Sequence, residues 1–227
     1  VQNAAINSLP DVDAVLTTRE LAVMIKRAGL VYDELAEEEF DNDLLGTYSG
    51  AGVIFGVTGG VMEAALRTAY HSLTGKEYEK IEFSEVRGLD SVKEATVDIN
   101  GTKLKVAIAS GMKNAKPLLD DIRAGKSPYA FIEIMGCPGG CINGGGQPFV
   151  KPNLLPKEDV NILETYRQKR ASLLYGIDEH MSLRQSHNNK DIQRLYKDYL
   201  GSPCGELSEK LLHTHYNDSR ECFPEKK

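Results

Sequence analysis

Residues 131–148 read FIEIMGCPGGCINGGGQP, a short apolar run that leads directly into a glycine-rich loop. The run from Tyr129 to Met135 predicts a buried strand, because it is short and mostly apolar. The loop carries Cys137 and Cys141, and glycine there allows positive φ and close approach of backbone N–H groups to a ligand. Ligands of open α/β sheets bind beyond the carboxyl ends of strands. The sequence therefore predicts that this loop carries the chemistry.

The two cysteines of the loop offer thiolate ligands for a metal centre. Iron–sulfur clusters suit this setting, since hydrogen bonds from nearby amides to sulfur tune their potential. A zinc site would more often add a second Cys or His pair, and none follows at a suitable spacing. Redox-active or structural thiols remain a third interpretation. Cys204 and Cys222 are isolated near the end of the chain, and we expect both to be incidental.

The segment before this loop predicts an α/β unit. Alternating apolar residues in 95–99 and 104–108 flank Asn100-Gly101, which is a typical hairpin turn. A helix over about 113–124 then leads to the strand that ends at Met135, which makes a parallel crossover. We expect that last strand to be central in the sheet and parallel to the 104–108 strand.

A second glycine-rich passage, residues 46–60, opens into a helix with a predicted buried stripe of Val61, Met62, Ala65, Leu66 and Ala69. Glycines before a helix can cradle an anion. No Lys-Ser or Lys-Thr pair follows them, which excludes a nucleotide-binding P-loop. Close backbone packing or close approach to a compact inorganic group remain. Within the helix, Glu63 and Arg67 are spaced to pair.

The N-terminal region has three predicted parts. Residues 12–16 form a short apolar run that predicts a strand. Thr17 and Glu20 then form a capping box for a helix that ends near Gly29. The seven carboxylates between Asp33 and Asp43 predict a solvated surface segment.

The chain beyond Pro152 predicts helices. Asn188 is a candidate N-cap for a helix that ends at Gly201, with its apolar face formed by Ile192, Leu195, Tyr196 and Tyr199. An amphipathic segment follows over 206–213. We expect these helices to wrap over the α/β body. Their histidines, which are His187, His213 and His215, are expected to make local hydrogen bonds rather than to bind a metal.

Composition excludes several classes of protein. The 227 residues are 41% hydrophobic and 26% charged, with a formal net charge of -6. This balance supports a folded core and argues against nucleic acid or an anionic membrane as the main partner. Because the chain begins with Val1 rather than Met, we expect it to be processed or to be a piece of a longer protein.

The loop resembles the last cysteine motif of the iron-only (FeFe) hydrogenases, which reads Met-Ala-Cys-x-Gly-Gly-Cys and is followed by glycines, Gln and Pro. Gly136 stands where that family commonly has Ala. Further stretches resemble the family in its own order: 16–20, 55–67, 86–89, 186–188 and, in a small-subunit-like tail, 211–216. The resemblance implies an α/β fold, a parallel-sheet sandwich flanked by helices with a C-terminal helical wrap. It implies a hydrogenase part over residues 1–180 and a tail over 181–227.

The same resemblance implies an H-cluster, a 4Fe-4S cubane bridged to a diiron unit that carries CO, CN and dithiolate ligands. Cys137 matches a cubane ligand and Cys141 the cysteine that also bridges to the diiron unit. Met135 matches a side chain beside the diiron unit, and Phe55 matches the wall of its pocket. The other residues expected to contact the cofactor are Gly56, Thr58, Gly59, Gly140 and Gln147.

The family's upstream cysteine motifs are absent, so the chain is expected to supply half of the site. The implied activity is the reversible reduction of protons to dihydrogen, with this isolated chain inactive. The implied partners are the upstream half with any accessory clusters, ferredoxin or a similar electron carrier, and cluster maturation proteins. A cytoplasmic location is also expected. The alternatives are a hydrogen-sensing relative and a Narf-like cytosolic iron–sulfur assembly factor. That last group commonly has Ser in place of Gly140.

Overall fold

The computed structural model describes residues 12–38, 46–77, 83, 86–148 and 162–213. These residues form an α/β fold, as expected. Its elements are α1 (Thr18–Arg27), α2 (Gly50–Val53), α3 (Gly60–Thr74), β1 (Val92–Ile99), β2 (Thr102–Ser110), α4 (Met112–Arg123), β3 (Phe131–Met135), α5 (Ile162–His180), α6 (Lys190–Leu195) and α7 (Glu206–Leu212). Four 3-10 turns at 32–34, 54–56, 141–143 and 186–188 connect them, and Tyr196–Leu200 is a π-helical turn.

The sheet has the order β1-β2-β3. β1 and β2 form the predicted antiparallel hairpin, with Asn100 (φ 52°) and Gly101 (φ 87°) in the turn. β2 and β3 are parallel, as expected for the crossover through α4. The expectation that β3 is central is wrong, because β2 lies between β1 and β3 and no described strand pairs with the outer edge of β3.

Helices cover both faces of this sheet. Met62 and Leu66 of α3 pack against Val106 and Ile108 of β2, in a cluster that also includes Phe83, Val86, Val97 and Ile99. On the opposite face, Ala107 and Ala109 pack against Ala115 and Leu118 of α4. Because β2 is buried from both sides, residues 106–109 in its second half are all apolar.

β3 differs from the buried strand that the sequence predicts. Its single fully buried residue is Glu133, whereas Phe131 and Ile134 are exposed. An edge strand is covered on fewer sides than a central one, so its apolar residues need not be buried. In α3, the predicted stripe is buried at Met62 and Leu66, while its other members are only half-buried.

The N-terminal helix is formed as expected, but the strand before it is not. Thr17 and Glu20 make the reciprocal hydrogen bonds of a capping box, and Gly29 has the positive φ of a helix end. Residues 12–16 have no strand structure, and Val15 is 86% exposed. The described acidic residues 33–38 are exposed as predicted; 39–45 lie outside the described residues.

The chain divides into two compact units, Thr17–Asn189 and a second unit formed by residues 1–16 and 190–227. In the second unit, α6 continues into the π-helical turn and ends at Gly201 as predicted. The capping role expected for Asn188 is wrong, because α6 begins at Lys190 and the Asn188 side chain donates to Glu77. The domain division at residue 180 and the wrap over the α/β body stay predictions. No helix in the described part of the chain is both long and apolar enough to cross a membrane.

Candidate metal centre

The cysteine loop begins directly after β3, at the carboxyl end of that strand. Its backbone folds back on itself through hydrogen bonds from Gly140 N to Cys137 O (3.0 Å) and from Gly144 N to Cys141 O (2.9 Å). Both cysteines are free thiols; Cys137 is half-buried and Cys141 is exposed. The loop therefore presents two thiol groups that a metal centre can use.

The cysteine loop contacts the glycine-rich passage of residues 46–60 at one close point. Thr58 N donates to Gly139 O at 3.1 Å. Gly140 has φ +96°, and a Cβ added there would lie 2.7 Å from both Gly56 O and Thr58 N. No side chain fits between these backbones, which explains the glycine at this position. Close backbone packing is thus confirmed as one of the two roles that the sequence left open for residues 46–60.

The buried carboxylate of Glu133 binds the backbone at the end of that passage. It accepts hydrogen bonds from Gly59 N (2.6 Å) and Met62 N (2.7 Å), the unpaired donors at the start of α3. The buried Lys93 ammonium donates to Thr58 O (2.9 Å) and Gly88 O (2.7 Å). Burial lowers the pKa of Lys93 to about 8, while the nearby charge of Glu133 opposes this shift. Sequence analysis missed Lys93, because it is one polar residue in an alternating strand.

A buried ion network fastens α5 to α3. Arg67 donates to Glu63 (2.7 Å), which confirms the predicted pair, and to both oxygens of Asp178 on α5 (2.9 and 2.8 Å). Arg184 also donates to Asp178, at 2.6 Å. Burial raises the pKa of Asp178, but the hydrogen bonds from Arg67 and Arg184 outweigh it and hold that pKa below its usual value. The network keeps α5 in place beside the cysteine loop.

A cavity of about 260 Å³ opens beside the Cys141 thiol. It is lined by Gly56, Cys141, Ile142, Gln147, Arg170, Leu173 and Leu174. Arg170 of α5 donates to Ile142 O and Pro148 O, both at 2.8 Å, and so holds the end of the loop against the helix. No local pattern in the sequence pointed to Arg170, because its two partners lie 28 and 22 residues earlier in the chain.

The predicted site residues do not all face this cavity. Gly56, Cys141 and Gln147 line it. Phe55 is 46% exposed and is not one of the residues that line the cavity. Thr58 is fully buried, and its Oγ1 has no hydrogen-bond partner among the described residues. Gly59 lies in the interior, where a Cβ would be 2.0 Å from Val86 O. Met135 is half-buried and its carbonyl accepts from Gly111 N at 2.8 Å, in the turn that follows β2.

These residues fit part of an iron–sulfur site. The loop supplies two free thiols, of which that of Cys137 is half-buried, and the exposed Cys141 lines a cavity. Four-cysteine clusters need two further ligands. No other cysteine of the described unit Thr17–Asn189 is available for this purpose.

Comparison with known proteins identifies the family of this chain. Residues 1–145 match the C-terminal domain of the iron-only hydrogenase large subunit, and residues 164–219 match the iron hydrogenase small subunit. The chain belongs to the iron-only hydrogenase family. This family implies an iron–sulfur H-cluster.

Individual hydrogenases support this assignment. The chain is 48% identical to the NADP-reducing hydrogenase subunit HndD of Solidesulfovibrio fructosivorans and 46% identical to iron hydrogenase 1 of Clostridium pasteurianum. These matches cover 93% and 92% of this chain but 34% and 35% of the relatives, so the chain spans about a third of their length. A variant of the FeFe-hydrogenase HydA1 of Chlamydomonas reinhardtii has a similar structure, with 40% identity and a TM-score of 0.67 over 94% of this chain and 58% of that one.

The assembly-factor group is a more distant relative of this hydrogenase chain. Cytosolic iron-sulfur assembly component 3 of Mus musculus is 28% identical over 91% of this chain and 41% of its own length. The alternative weighed from the sequence is therefore a true relative, at lower identity than the hydrogenases.

Proposed function

We propose that this chain forms one half of the H-cluster site of an FeFe hydrogenase that reversibly reduces protons to dihydrogen. The observation that carries the proposal is the exposed Cys141 thiol beside the 260 Å³ cavity, on a loop held by a contact that only glycine permits. A bridging thiolate needs access to two groups at once. Cys141 has that access, while Cys137 is more enclosed.

In this proposal, Cys137 and Cys141 hold the cubane, and Cys141 also binds the diiron unit. When bound, the H-cluster supplies the exchange of two electrons and two protons with dihydrogen. The remaining residues of this chain orient the thiols. The Gly140 contact sets the loop against Gly56, and Arg170 holds the loop's far end. Met135 and Phe55 are proposed to pack beside the diiron unit.

The other two cubane ligands would come from an upstream half of the catalytic domain. Two exposed features of the Thr17–Asn189 unit fit a surface that this half would cover. The outer edge of β3 has no described partner strand, and exposed edges of this kind readily pair with another chain. In α1, Leu21, Val23 and Met24 are 45–52% exposed. Ferredoxin or a similar carrier would deliver electrons through that half, and maturation proteins would insert the cluster.

A second candidate function is iron–sulfur assembly without a diiron unit, which the 28% identity to cytosolic iron-sulfur assembly component 3 of Mus musculus favours. Gly140 opposes it, because its position against Gly56 O leaves no space for the serine typical of that group. The two functions differ in one observable, which is the infrared signature of metal-bound CO and CN.

The test is assembly of this chain with its upstream half and the maturation proteins, followed by measurement of hydrogen turnover and infrared spectra. We expect turnover and diatomic-ligand bands, and both should be lost in Cys141→Ala. Cys204→Ala is the matched control, since Cys204 is an exposed free thiol outside the Thr17–Asn189 unit. A bound cubane with neither turnover nor diatomic bands would support the assembly function instead.

A further inference from the structure

A cluster of two histidines and one glutamate lies at the end of α3, outside the cysteine site. His71 is in the last turns of α3, Glu77 follows that helix, and His187 is in the 3-10 turn Ser186–Asn188. One ligand atom from each lies within 4.8 Å of the others. Nδ1 of His71 and Nε2 of His187 are each 3.2 Å from Oε1 of Glu77. The expectation of local contacts is wrong for His187, whose partners are more than 100 residues away in sequence.

Hydrogen bonding leaves this cluster incompletely satisfied. Nδ1 of His71 is buried and makes no hydrogen bond with acceptable geometry among the described residues, despite its 3.2 Å distance from the carboxylate. The imidazole rings of His71 and His187 stack with centroids 4.2 Å apart and an interplanar angle of 16°.

We infer that His71, Glu77 and His187 form a binding site for a single divalent zinc-type ion. Two imidazole nitrogens and one carboxylate are a donor set that zinc uses. Tetrahedral zinc with bonds of about 2.0–2.1 Å separates its ligand atoms by about 3.3 Å. The two nitrogen–oxygen separations of 3.2 Å match this value, and the two histidine nitrogens lie within 4.8 Å of each other. Exposure of Glu77 (47%) and His71 (40%) leaves the fourth position open to water.

Neighbouring residues hold the proposed ligands in the way that metal sites require. Thr68 Oγ1 lies 3.3 Å from Nδ1 of His187, so it can accept that N–H and leave Nε2 available for the ion. Gln185 and Asn188 donate to the Glu77 carboxylate at 3.0 and 3.2 Å. Binding requires the two rings to tilt apart, so that both lone pairs point to one ion, and the half-exposed His71 has space to do so.

The consequence of zinc binding is a bridge between two segments that support the cysteine site. α3 begins at the glycine passage, and residues 183–184 accept hydrogen bonds from Gly50 N and Ala51 N, at the start of α2. A bound ion would join the far end of α3 to the segment that contains residues 183–187. We therefore assign the site a stabilising role rather than a catalytic one.

The test uses the 227-residue chain with Cys137 and Cys141 replaced by serine, which removes competing thiol ligands from the loop. Cobalt(II), a spectroscopic substitute for zinc, is titrated and then displaced by zinc. We expect one equivalent with the visible absorption of tetrahedral nitrogen and oxygen ligation, without a sulfur charge-transfer band, and a raised Tm with zinc. Thr68→Val should weaken binding about tenfold, and His71→Gln, His187→Gln or Glu77→Gln should weaken it further.

His180→Gln is the matched control, because His180 contacts only Gly176 O within α5 among the contacts described for it. It should bind cobalt as the parent does. Glu77→Gln keeps the size of a half-exposed side chain, so the far-ultraviolet circular dichroism of this variant should match that of the parent. This measurement separates loss of metal binding from loss of folding. Absence of saturable binding, or binding that the three ligand variants leave unchanged, would overturn the inference.

Discussion

Glu133 accepts a 2.6 Å hydrogen bond from the backbone N–H of Gly59, although the two residues are 74 positions apart in sequence. This bond joins β3, which leads into the cysteine loop, to the glycine passage that faces the loop. One buried carboxylate thereby sets the distance between the two backbones that form the site.

Replacement of Glu133 should therefore destabilise the chain. Glu133→Leu leaves the N–H groups of Gly59 and Met62 without an acceptor and leaves the Lys93 charge buried without its neighbour. We expect a loss of about 3–5 kcal/mol in the free energy of unfolding. Glu133→Gln keeps one acceptor oxygen and should lose less. Urea unfolding of both variants measures the difference, and equal stabilities would contradict this role.

Glycine should be required at position 140 but not at position 145. Gly140→Ala places a Cβ 2.7 Å from Gly56 O in a residue with φ +96°, so the two loops must separate. We expect a loss of about 1–3 kcal/mol in stability and loss of hydrogen turnover in the assembled protein. Gly145→Ala is the control in the same loop, because its added Cβ meets nothing within 4 Å. Similar behaviour of the two variants would argue against the close contact.

Lys93 should make stability rise with pH above 8. Its pKa is about 8 in the folded chain and about 10.4 when unfolded, so the unfolded state binds more protons between these values. Stability from this group therefore increases through that window, by up to about 3 kcal/mol. The increase should be absent in Lys93→Met, measured by urea unfolding at a series of pH values from 7 to 10. A parallel profile for the variant would contradict the assignment.

Asp178 should contribute stability that is lost in acid. Its lowered pKa means that the contribution is complete above the unfolded value of about 3.9 and disappears as pH falls through the folded value. Asp178→Asn should cost about 3 kcal/mol near pH 7 and reduce the acid dependence. Asp120→Asn is the control, since Asp120 forms exposed pairs with Lys116 and Arg123 and should change stability by less than about 1 kcal/mol.

The two loop cysteines should differ in severity in the assembled hydrogenase. Cys141→Ala removes a cubane ligand and the bridge, so turnover and the diiron infrared bands should both disappear. Cys137→Asp supplies an oxygen ligand and damages the cubane, but it should leave some diiron unit attached. Infrared spectra and hydrogen production of the two variants measure this order. Unaltered bands and turnover in Cys141→Ala would contradict the bridging role.

Local patterns determined much of this molecule. The Asn100-Gly101 hairpin, the Thr17 capping box and the pair Glu63–Arg67 each depend on residues a few positions apart, and all three are found as predicted. The loop motif around Cys137 and Cys141, together with further stretches in the same order along the chain, identified the family, since each such motif is readable in one short segment.

Only the tertiary structure decided what faces that loop. Glu133, Lys93 and Arg170 act through contacts with distant backbone, and no spacing in the sequence predicts such partners. The same is true of the edge position of β3 and of the meeting of His71 with His187. Periodicity reports which face of an element is apolar, whereas partner choice depends on how all the faces pack together.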